Sequence, residues 1–386
     1  MSKRRQVAVI IHAERAYHRK ILRGIGAYMH EVGNWSLYIE QEPLQRLPDL
    51  SNWHGDGIIL ASGIQSLTKA ACQPRLPTVG IEGASDWYDP ALRIPYFQTD
   101  NLAIGRLGAK HLIERGFTQL AFCGFPSTNM NPWCVERAAA FQKCSREHGL
   151  PCAIYTGHVT TVRKWINLQH ELTVWLESLE KPLGLLAAND DRARHVLEAC
   201  RAIGLRVPED VAVLGVDNDE VMCELTDPPL SSIEHGATSL GYQAASLLDR
   251  LMSGKKARKL KTSIEPEGVV TRRSTDILAI ADPEVAAAMA FIHQHSCEPL
   301  RVADVVEAVG VSRSTLEARF KTAGRTMHGE LQRLRVERAR FLIATTDLPI
   351  KQIAAMAGFA HVHYMTTIFR QSTGWTPAEY RKHVRL

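Results

Sequence analysis

The sequence of 386 residues lacks any apolar run long enough to cross a membrane. A transmembrane helix needs about 20 consecutive apolar residues. Near the start, QVAVII (6–11) contains an apolar run of only five residues, and no site of small residues suited to signal cleavage follows it. These absences predict a cytoplasmic protein without a membrane partner.

The sequence also lacks the spacing of a metal site or a redox site. It has eight cysteines but no C-x-x-C pair and no paired Cys/His pattern. We therefore expect buried free thiols in a reducing compartment and no bound metal. Motifs for cofactors and catalysis are missing as well: no G-x-G-x-x-G follows the first strand, and there is neither a phosphate-binding loop with lysine nor a G-x-S-x-G. The sequence predicts a protein that is not an enzyme and has no cofactor.

Charge is spread unevenly along the chain. Residues 312–386 hold 13 Lys and Arg against 5 Asp and Glu, a net charge of +8, whereas the whole chain carries +5. The other 311 residues therefore carry a net charge of −3. A basic module at one end of an otherwise slightly acidic chain is typical of a protein that binds a polyanion. A soluble basic helical domain remains the alternative explanation of the charge.

The first 275 residues alternate between short apolar runs and helical patterns. The runs predict strands, and the patterns between them show apolar residues at helical spacing. The predicted strands are 6–11, 35–40, 56–60, 77–82, 119–125 and 153–157, with a strand that leads into a turn within each of 183–190 and 211–218 and one more strand at the end of 255–276. The predicted helices are 17–32, 106–117, 132–148, 193–204 and 239–254. This alternation predicts an α/β fold with parallel sheets, and its length favours two lobes with a cleft between them.

Beyond residues 276–282 the strand pattern ends and only helical patterns remain. Pro283 stands where a new helix should begin. We therefore predict two domains, a sensor over 1–276 and an all-α domain over 277–386.

The helical domain contains an imperfect repeat. VVEAVGVSRSTLEARFKTAGRT (305–326) aligns with IAAMAGFAHVHYMTTIFRQSTGWT (353–376), and Gly310, Leu316 and Gly324 match Gly358, Met365 and Gly374. Each copy predicts a helix, a glycine turn and a second helix, at about 301–324 and 349–374. Residues 327–345 predict a long helix between the copies, with Arg333, Arg338 and Arg340 facing solvent.

Two helix–turn–helix units on the most basic part of the chain indicate DNA binding. The second helix of such a unit fits the major groove, where base pairs differ in donors and acceptors, while basic residues neutralise phosphates. The exposed faces of the two second helices supply the candidate DNA-binding residues. These are Arg313, Ser314, Glu317 and Ala318 in the first copy, and His361, Val362, His363, Thr366, Thr367 and Arg370 in the second.

Residues 282–386 resemble the DNA-binding domain of AraC/XylS-type regulators. The residues that carry the resemblance are Ile353, Ala354, Gly358, Phe359, Phe369, Arg370, Gly374, Thr376, Pro377, Tyr380 and Arg381. The family commonly has an aromatic residue and an arginine where this chain has Met365 and Thr367. The resemblance implies a regulator that binds operator or promoter DNA and contacts RNA polymerase.

Residues 6–275 resemble the sugar-binding core of LacI-type repressors and periplasmic sugar-binding proteins. The marks, in chain order, are TDN (99–101), AND (188–190), VPEDV (207–211), GVD (215–217), PLSSI (229–233) and RRST (272–275). The order of a sensor followed by an AraC-type module resembles a group of bacterial activators that respond to D-xylose. The resemblance therefore implies a homodimeric activator with a sugar effector. A regulator of another sugar, or a sugar receptor without regulatory activity, remains the alternative.

A sugar site needs polar groups at strand ends and aromatic faces for the C–H side of the ring. Asp217, Arg137 and Asn189 are expected to bind hydroxyls, and Tyr17, Trp133 and Trp165 to cover the ring. We expect His235 at the rim of the site and Asp190 close to it. Several of these residues have a structural alternative. Asp190 could cap a helix, as could other strand-end polar residues such as Asp100. The tryptophans could belong to the core, and His235 could be a loop histidine.

Overall fold

The computed structural model of the chain divides into two compact units, Met1–Asp276 and Ile277–Leu386. The structure describes residues 4–11, 13–32, 34–40, 53–61, 76–82, 84, 91, 93–128, 131–158, 161, 164–276, 282–298, 300–322, 326–346 and 348–384. The predicted boundary over 276–282 falls mainly on residues 277–281, which lie outside these ranges, as do Cys72 and Gly324.

The first unit contains two six-stranded sheets. Its strands are β1 (Arg5–Ile10), β2 (Trp35–Glu40), β3 (Gly57–Ala61), β4 (Thr78–Glu82), β5 (Tyr96–Thr99), β6 (Gln119–Cys123), β7 (Cys152–Tyr155), β8 (Leu183–Ala187), β9 (Val211–Val216), β10 (Ser231–Glu234), β11 (Lys261–Ile264) and β12 (Gly268–Val270). The strand orders are β11-β5-β4-β3-β1-β2 in the first lobe and β12-β10-β9-β8-β6-β7 in the second. All pairs are parallel except β10–β12. The central strands are buried throughout, which explains their continuous apolar runs.

The helices of the first unit cover both sheets. They are α1 (Ala16–Val32), α2 (Asn101–Ile113), α3 (Pro132–Glu147), α4 (Trp165–Ser178), α5 (Asp190–Ala202), α6 (Glu220–Glu224) and α7 (Ala237–Met252). Helices α1 and α7 pack on each other over the first sheet, whereas α2 packs on α3 beside the second. No described helix of the chain is long and apolar enough to span a lipid bilayer.

The chain passes between the lobes three times. It leaves the first lobe after β5, returns after β10 and crosses again between β11 and β12. The crossing segments are hydrogen-bonded to each other: Asp100 N donates to Ile264 O at 2.9 Å, and Glu267 N donates to Glu234 O at 2.8 Å. The ends of β5, β10 and β11 are thereby held together where the lobes meet.

The structure contains elements that the sequence patterns missed. These are the four-residue strands β5 and β10, the 14-residue helix α4 and the five-residue helix α6. The single strand expected within 255–276 is in fact two strands, β11 and β12, in different sheets. Four-residue strands such as YFQT give too few residues for a periodic signal. The helix expected over 106–117 already begins at Asn101, because the Asp100 carboxylate accepts a hydrogen bond from Ala103 N at 2.8 Å and caps it.

The second unit is helical throughout its described part. Its helices are α8 (Pro283–His295), α9 (Val302–Val309), α10 (Arg313–Thr322), α11 (Met327–Thr345), α12 (Ile350–Met356), α13 (Val362–Thr373) and α14 (Pro377–Val384). The long helix α11 packs against α8 on one side and against α12, α13 and α14 on the other. Leu331, Leu334 and Leu342 are buried. Arg338 and Arg340 face solvent as expected, whereas Arg333 is partly buried in ion pairs with Glu330 and Glu337. Helix α11 therefore joins the two helix–turn–helix units.

Helices α1 and α7 approach so closely that only glycine fits at their crossing. A Cβ on Gly24 would lie 2.0 Å from Thr238 O, and one on Gly241 would lie 2.1 Å from Ile21 O. Gly26, two residues further along α1, has open space around its missing Cβ. The two helices carry the core of the first lobe, so the crossing fixes the position of α1.

We expect the substitution Gly24→Ala to destabilise the first unit and Gly26→Ala to leave it unchanged or slightly more stable. The new methyl group at position 24 must push apart two backbones, at a cost of about 1–3 kcal/mol, whereas Ala at an open helical position gains up to about 1 kcal/mol. Urea unfolding of the two variants measures the difference. Equal midpoints would contradict the close approach.

Candidate functional site

Four of the sugar-site candidates come together between the two lobes. Tyr17 lies on α1 in the first lobe, Arg137 on α3 in the second, Asp217 directly after β9 and His235 on the crossing after β10. The ring of Tyr17 meets that of His235 edge-on, with centroids 4.9 Å apart. Nε2 of His235 lies 3.4 Å from Oδ1 of Asp217, and the positive charge of Arg137 acts on both Tyr17 and Asp217. We refer to these four residues as the cleft cluster.

Arg137 is held rigidly at the wall of the cleft. Its side chain is only 4% exposed, and α3 is close to α2 because Gly105 leaves space against Arg137 O. Nε donates to Asn101 Oδ1 at 3.0 Å and Nη1 donates to Ala188 O at 2.6 Å. Nη2 has no hydrogen-bond partner among the described residues. Two nitrogens therefore fix the guanidinium while the third is left for another acceptor.

Asp217 stands on a strained turn at the carboxyl end of β9. Its φ is +111° and that of Asn218 is +46°, values that cost energy for residues with a Cβ. Apart from the contact with His235, the carboxylate has no bonded donor within the described ranges. Burial raises its pKa from 3.8 to about 7, against the opposing effect of Arg137. The structure thus presents a poorly satisfied carboxyl group to the cleft.

His235 is fully buried, so the expectation that it lies at the rim is wrong. The crossing segment after β10 carries it inward between the lobes. Ala237 N donates to its Nδ1 at 3.3 Å, which assigns the ring proton to Nε2, facing Asp217. Burial, together with Lys20 and Arg137, lowers the pKa of His235 well below its usual value. The imidazole is therefore neutral and acts as a donor at the base of the site.

The first lobe contributes two polar pairs at the ends of its strands, Tyr17–Thr99 and His18–Glu82, and the sequence patterns missed the second. The hydroxyl of Tyr17 lies 2.8 Å from Thr99 Oγ1 at the end of β5. Beside it, buried His18 contacts Glu82 at the end of β4, with 3.1 Å between Nε2 and Oε1. Burial and the Glu82 charge raise the pKa of Tyr17. The position of Glu82 at a strand's carboxyl end was the signal that could have revealed this pair.

Asn189 and Asp190 are engaged by the protein itself. Oδ1 of Asn189 accepts from Arg192 N at 3.0 Å and caps α5, so the capping residue is Asn189. Asp190 is buried, and its oxygens accept from Ser232 Oγ at 2.5 Å and from Asp219 N at 2.8 Å. Burial and the nearby Asp217 raise the pKa of Asp190 well above its usual value. Asp190 thus fixes the turn that carries Asp217.

The two candidate tryptophans differ in their surroundings. Trp133 lies under the Arg137 guanidinium, 4.7 Å from ring centroid to Cζ, and contacts Phe125. Trp165 begins α4 and packs against the second-lobe core, with its ring 5.0 Å from that of His195. Among the described contacts none joins Trp165 to the cleft cluster, which agrees with the alternative that it belongs to the core.

Arg192, within the DRARH stretch, is a further buried cation at this wall. It is 0% exposed, lies 4.2 Å above the Phe125 ring and donates from Nη2 to His158 O at 2.9 Å. Its Nε and Nη1 have no partner in the described structure. The second-lobe wall therefore contains two arginines that each lie over an aromatic ring, Arg137 over Trp133 and Arg192 over Phe125.

The first helix–turn–helix unit consists of α9 and α10. Gly310 ends α9 with φ +75°, a conformation that favours glycine, and Ser312 Oγ accepts from Thr315 N at 3.2 Å at the start of α10. Leu316 and Phe320 point into the core. The four candidates Arg313, Ser314, Glu317 and Ala318 are all exposed on the opposite face. In the free protein Arg313 Nε donates to Glu317 Oε1 at 2.8 Å.

The second unit consists of α12 and α13 and repeats this geometry. Gly358 has φ +80°, and Met365 and Phe369 are fully buried. Of the candidates, His361, His363, Thr367 and Arg370 are exposed, while Val362 and Thr366 are half-buried. Tyr364, which was not among the sequence candidates, is also exposed on α13. Its hydroxyl accepts a hydrogen bond from Gln332 Nε2 and so ties the start of α13 to α11.

Comparison with known proteins matches every part of this architecture. Family models match residues 6–102 as an XylR N-terminal domain, 109–275 as a periplasmic binding protein-like domain and 305–383 as a helix-turn-helix domain. The xylose operon regulatory protein of Escherichia coli K12 is 34% identical over 98% of this chain and 97% of its own length. That of Haemophilus influenzae is 33% identical over 97% of this chain and 98% of its own. The chain belongs to the family of xylose operon regulatory proteins.

A solved structure agrees with this family membership over the whole chain. The structure described as xylose-binding transcription activator xylR is 34% identical, covers 99% of both chains and superposes with a TM-score of 0.77. A LacI family regulator from Enterococcus faecalis with bound ribose matches 70% of the chain at 19% identity and a TM-score of 0.55, which shows a shared sensor fold alone. The predicted fold class, with a two-lobed α/β sensor and an all-α DNA-binding domain, is confirmed. Proteins of the xylose operon family are transcriptional regulators, and so is this one.

The raised pKa of Asp217 gives a testable dependence of stability on pH. Because the folded value, about 7, lies above the ordinary 3.8, the folded chain binds the proton more tightly, and this contribution to stability is lost as pH rises through 7. The groups that act on Asp217 include Arg137, Asp191, Lys20 and Asp219, together with His235, which contacts it, and the neighbouring carboxyl group of Asp190. We expect Asp217→Asn to remove part of the decline in urea-unfolding stability between pH 5 and pH 8. Parallel curves for variant and parent would refute the raised value.

Proposed function

We propose that this protein is a D-xylose-dependent activator of transcription, in which sugar bound at the cleft cluster controls how two helix–turn–helix units bind operator DNA. The observation that carries this proposal is the meeting, between two lobes, of a fixed guanidinium with a free Nη2 and a carboxylate with few partners. D-xylose is supported by the printed names of relatives that match nearly the full chain.

The chemistry of the cleft cluster suits a neutral pentose. Vicinal hydroxyls both donate and accept, so they can pair with Nη2 of Arg137 and the carboxylate of Asp217. The Nε2 proton of His235 supplies a second donor at the base. Tyr17 and Trp133 offer ring faces to the C–H side of the sugar. Asn189 follows β8, at the same edge of the second sheet as Asp217, which follows the neighbouring parallel strand β9. In this assignment Asp190 positions the turn, and Trp165 supports the wall.

The two units in the second domain provide the output. In this proposal the exposed residues of α10 and α13 read bases in adjacent major grooves, and surrounding arginines contact phosphates. Sugar favours the closed form of the sensor, and the closed form favours a homodimer whose modules reach neighbouring sites. Bound next to a promoter, the module contacts RNA polymerase. In this proposal the protein acts in the cytoplasm, where its DNA is.

Isothermal titration with a sugar panel tests the sensor half of the proposal. We expect D-xylose to bind more tightly than other pentoses and hexoses. Arg137→Lys keeps the charge but loses the forked donor, so its affinity should fall by about 10-fold or more, since a hydrogen bond to a charged group contributes about 1.5–3 kcal/mol.

The matched control is Arg146→Lys, an exposed position on the same helix, which should bind like the parent. If another sugar binds more tightly, that sugar is the effector and only the assignment of D-xylose is wrong. If Arg137→Lys binds D-xylose as tightly as the parent, Arg137 does not contact the sugar.

Binding titrations on promoter DNA test the output half. Arg313→Ala should weaken binding by about 1–3 kcal/mol and relax the preference at one base position, if Arg313 leaves Glu317 to read a base. Lys143→Ala, on the sensor, should have no effect. A uniform loss across all DNA sequences would make Arg313 a phosphate contact, and operator affinity that ignores sugar would refute the proposed coupling.

A further inference from the structure

Lys20 joins the two lobes directly. It lies on α1 in the first lobe, while all its acceptors belong to the second. Its ammonium donates to Asp217 O at 2.8 Å and to Asn218 O at 3.0 Å, and it forms a close ion pair with the Glu234 carboxylate. The side chains of Lys20 and Glu234 are only 13% and 19% exposed. Three acceptors match the three protons of an ammonium group.

Two of the three acceptors of Lys20 lie on the strained turn itself. The two carbonyl groups belong to the consecutive residues Asp217 and Asn218, whose φ values are positive. Asn218 is further held by its own contacts, donating from Nδ2 to Glu234 at 3.2 Å and accepting from Arg272 Nη2 at 2.9 Å. The direction of the Asp217 carboxylate follows from the conformation of this turn. A cation from the opposite lobe therefore helps to set it.

We propose that Lys20 is an interlobe latch, a positioning residue that stabilises the closed sensor and orients Asp217 for the sugar. The inference rests on the proposed sugar site and deepens it. When the lobes separate, Lys20 loses all three acceptors at once, so its contribution is present only in the closed form. The latch thus sets how much of the sensor is closed before sugar arrives.

A neighbouring ion pair does not account for the same effect. Arg19 of α1 approaches Asp219 with 3.5 Å between Nη2 and Oδ2, but the Arg19 side chain is 52% exposed. Exposed pairs of this kind are screened by water and contribute little. Arg19→Met therefore serves as a matched control on the same helix, next to Lys20 in sequence and also at the lobe boundary.

The test compares the full chain with Lys20→Met, Glu234→Gln and the double variant. Methionine keeps the length of the stem and removes the charge. Hydrogen–deuterium exchange without sugar should become faster in peptides covering α1 and residues 215–225, but not in α11. Affinity for D-xylose should fall by about 10-fold or more, in line with the loss of charged hydrogen bonds. The two single effects should not add fully, because both variants remove the same Lys20–Glu234 ion pair.

The outcomes separate the latch from a general structural role. Unchanged exchange and affinity in Lys20→Met would overturn the proposal, and so would faster exchange throughout the chain with a lower melting temperature. Effects of Lys20→Met and Glu234→Gln that add fully would also overturn it, as would equal losses in Arg19→Met. If the parent chain binds no sugar of the panel, the proposed function fails, whereas the sugar-free exchange experiment still decides whether Lys20 holds the lobes together.

Discussion

The structure of the sensor depends on three passages of the chain between its lobes. Because β5, β10 and β11 end at the same boundary, residues far apart in sequence are brought within a few ångströms of each other there. His235 is buried only because one passage carries it between the lobes, and Asn101 supports Arg137 only because another starts α2 at that point. The close crossing of α1 and α7 at Gly24 and Gly241 then holds Tyr17 and Lys20 at the boundary.

Burying a charged group at this boundary costs free energy unless the group has hydrogen-bond partners. The buried charged groups of the sensor differ in how many partners they have. Asp190 is fully satisfied and fixes its turn, whereas Arg137 and Asp217 keep unused hydrogen-bonding capacity. Burial without enough hydrogen-bond donors raises the pKa of Asp217. Its backbone φ of +111° is also unfavourable for a residue with a Cβ. Rigid groups with unused hydrogen-bonding capacity are suited to bind a polar ligand, because the ligand can supply the missing hydrogen-bond partners.

The DNA-binding domain follows a different principle. Its two units repeat one arrangement, in which a glycine turn and two buried residues of the second helix fix the orientation of that helix while the polar face remains in solvent. Helix α11 links the units, and Arg335 ties it to the end of α8 by donating to Ser296 O at 3.0 Å. Arg338, Arg340 and Arg370 are exposed. Arg313, Arg319 and Arg333 form ion pairs with carboxylates, which a phosphate would have to replace.

The sequence by itself determined the fold class, the order of the domains, most long elements and the exposed faces of α10 and α13, because these depend on local periodicity, glycine turns and charge. It also singled out Arg137 and Asp217 as candidates to bind sugar hydroxyls and Tyr17 as a candidate to cover the ring. Only the tertiary structure decided that His235 lies at the base, that Trp165 supports the core, that Asn189 caps α5 and that His18 and Lys20 belong to the boundary. These outcomes depend on which strand ends meet and on which lobe a helix packs against. Lys20 and Glu234, for example, are 214 positions apart, and no local pattern in the sequence encodes such contacts.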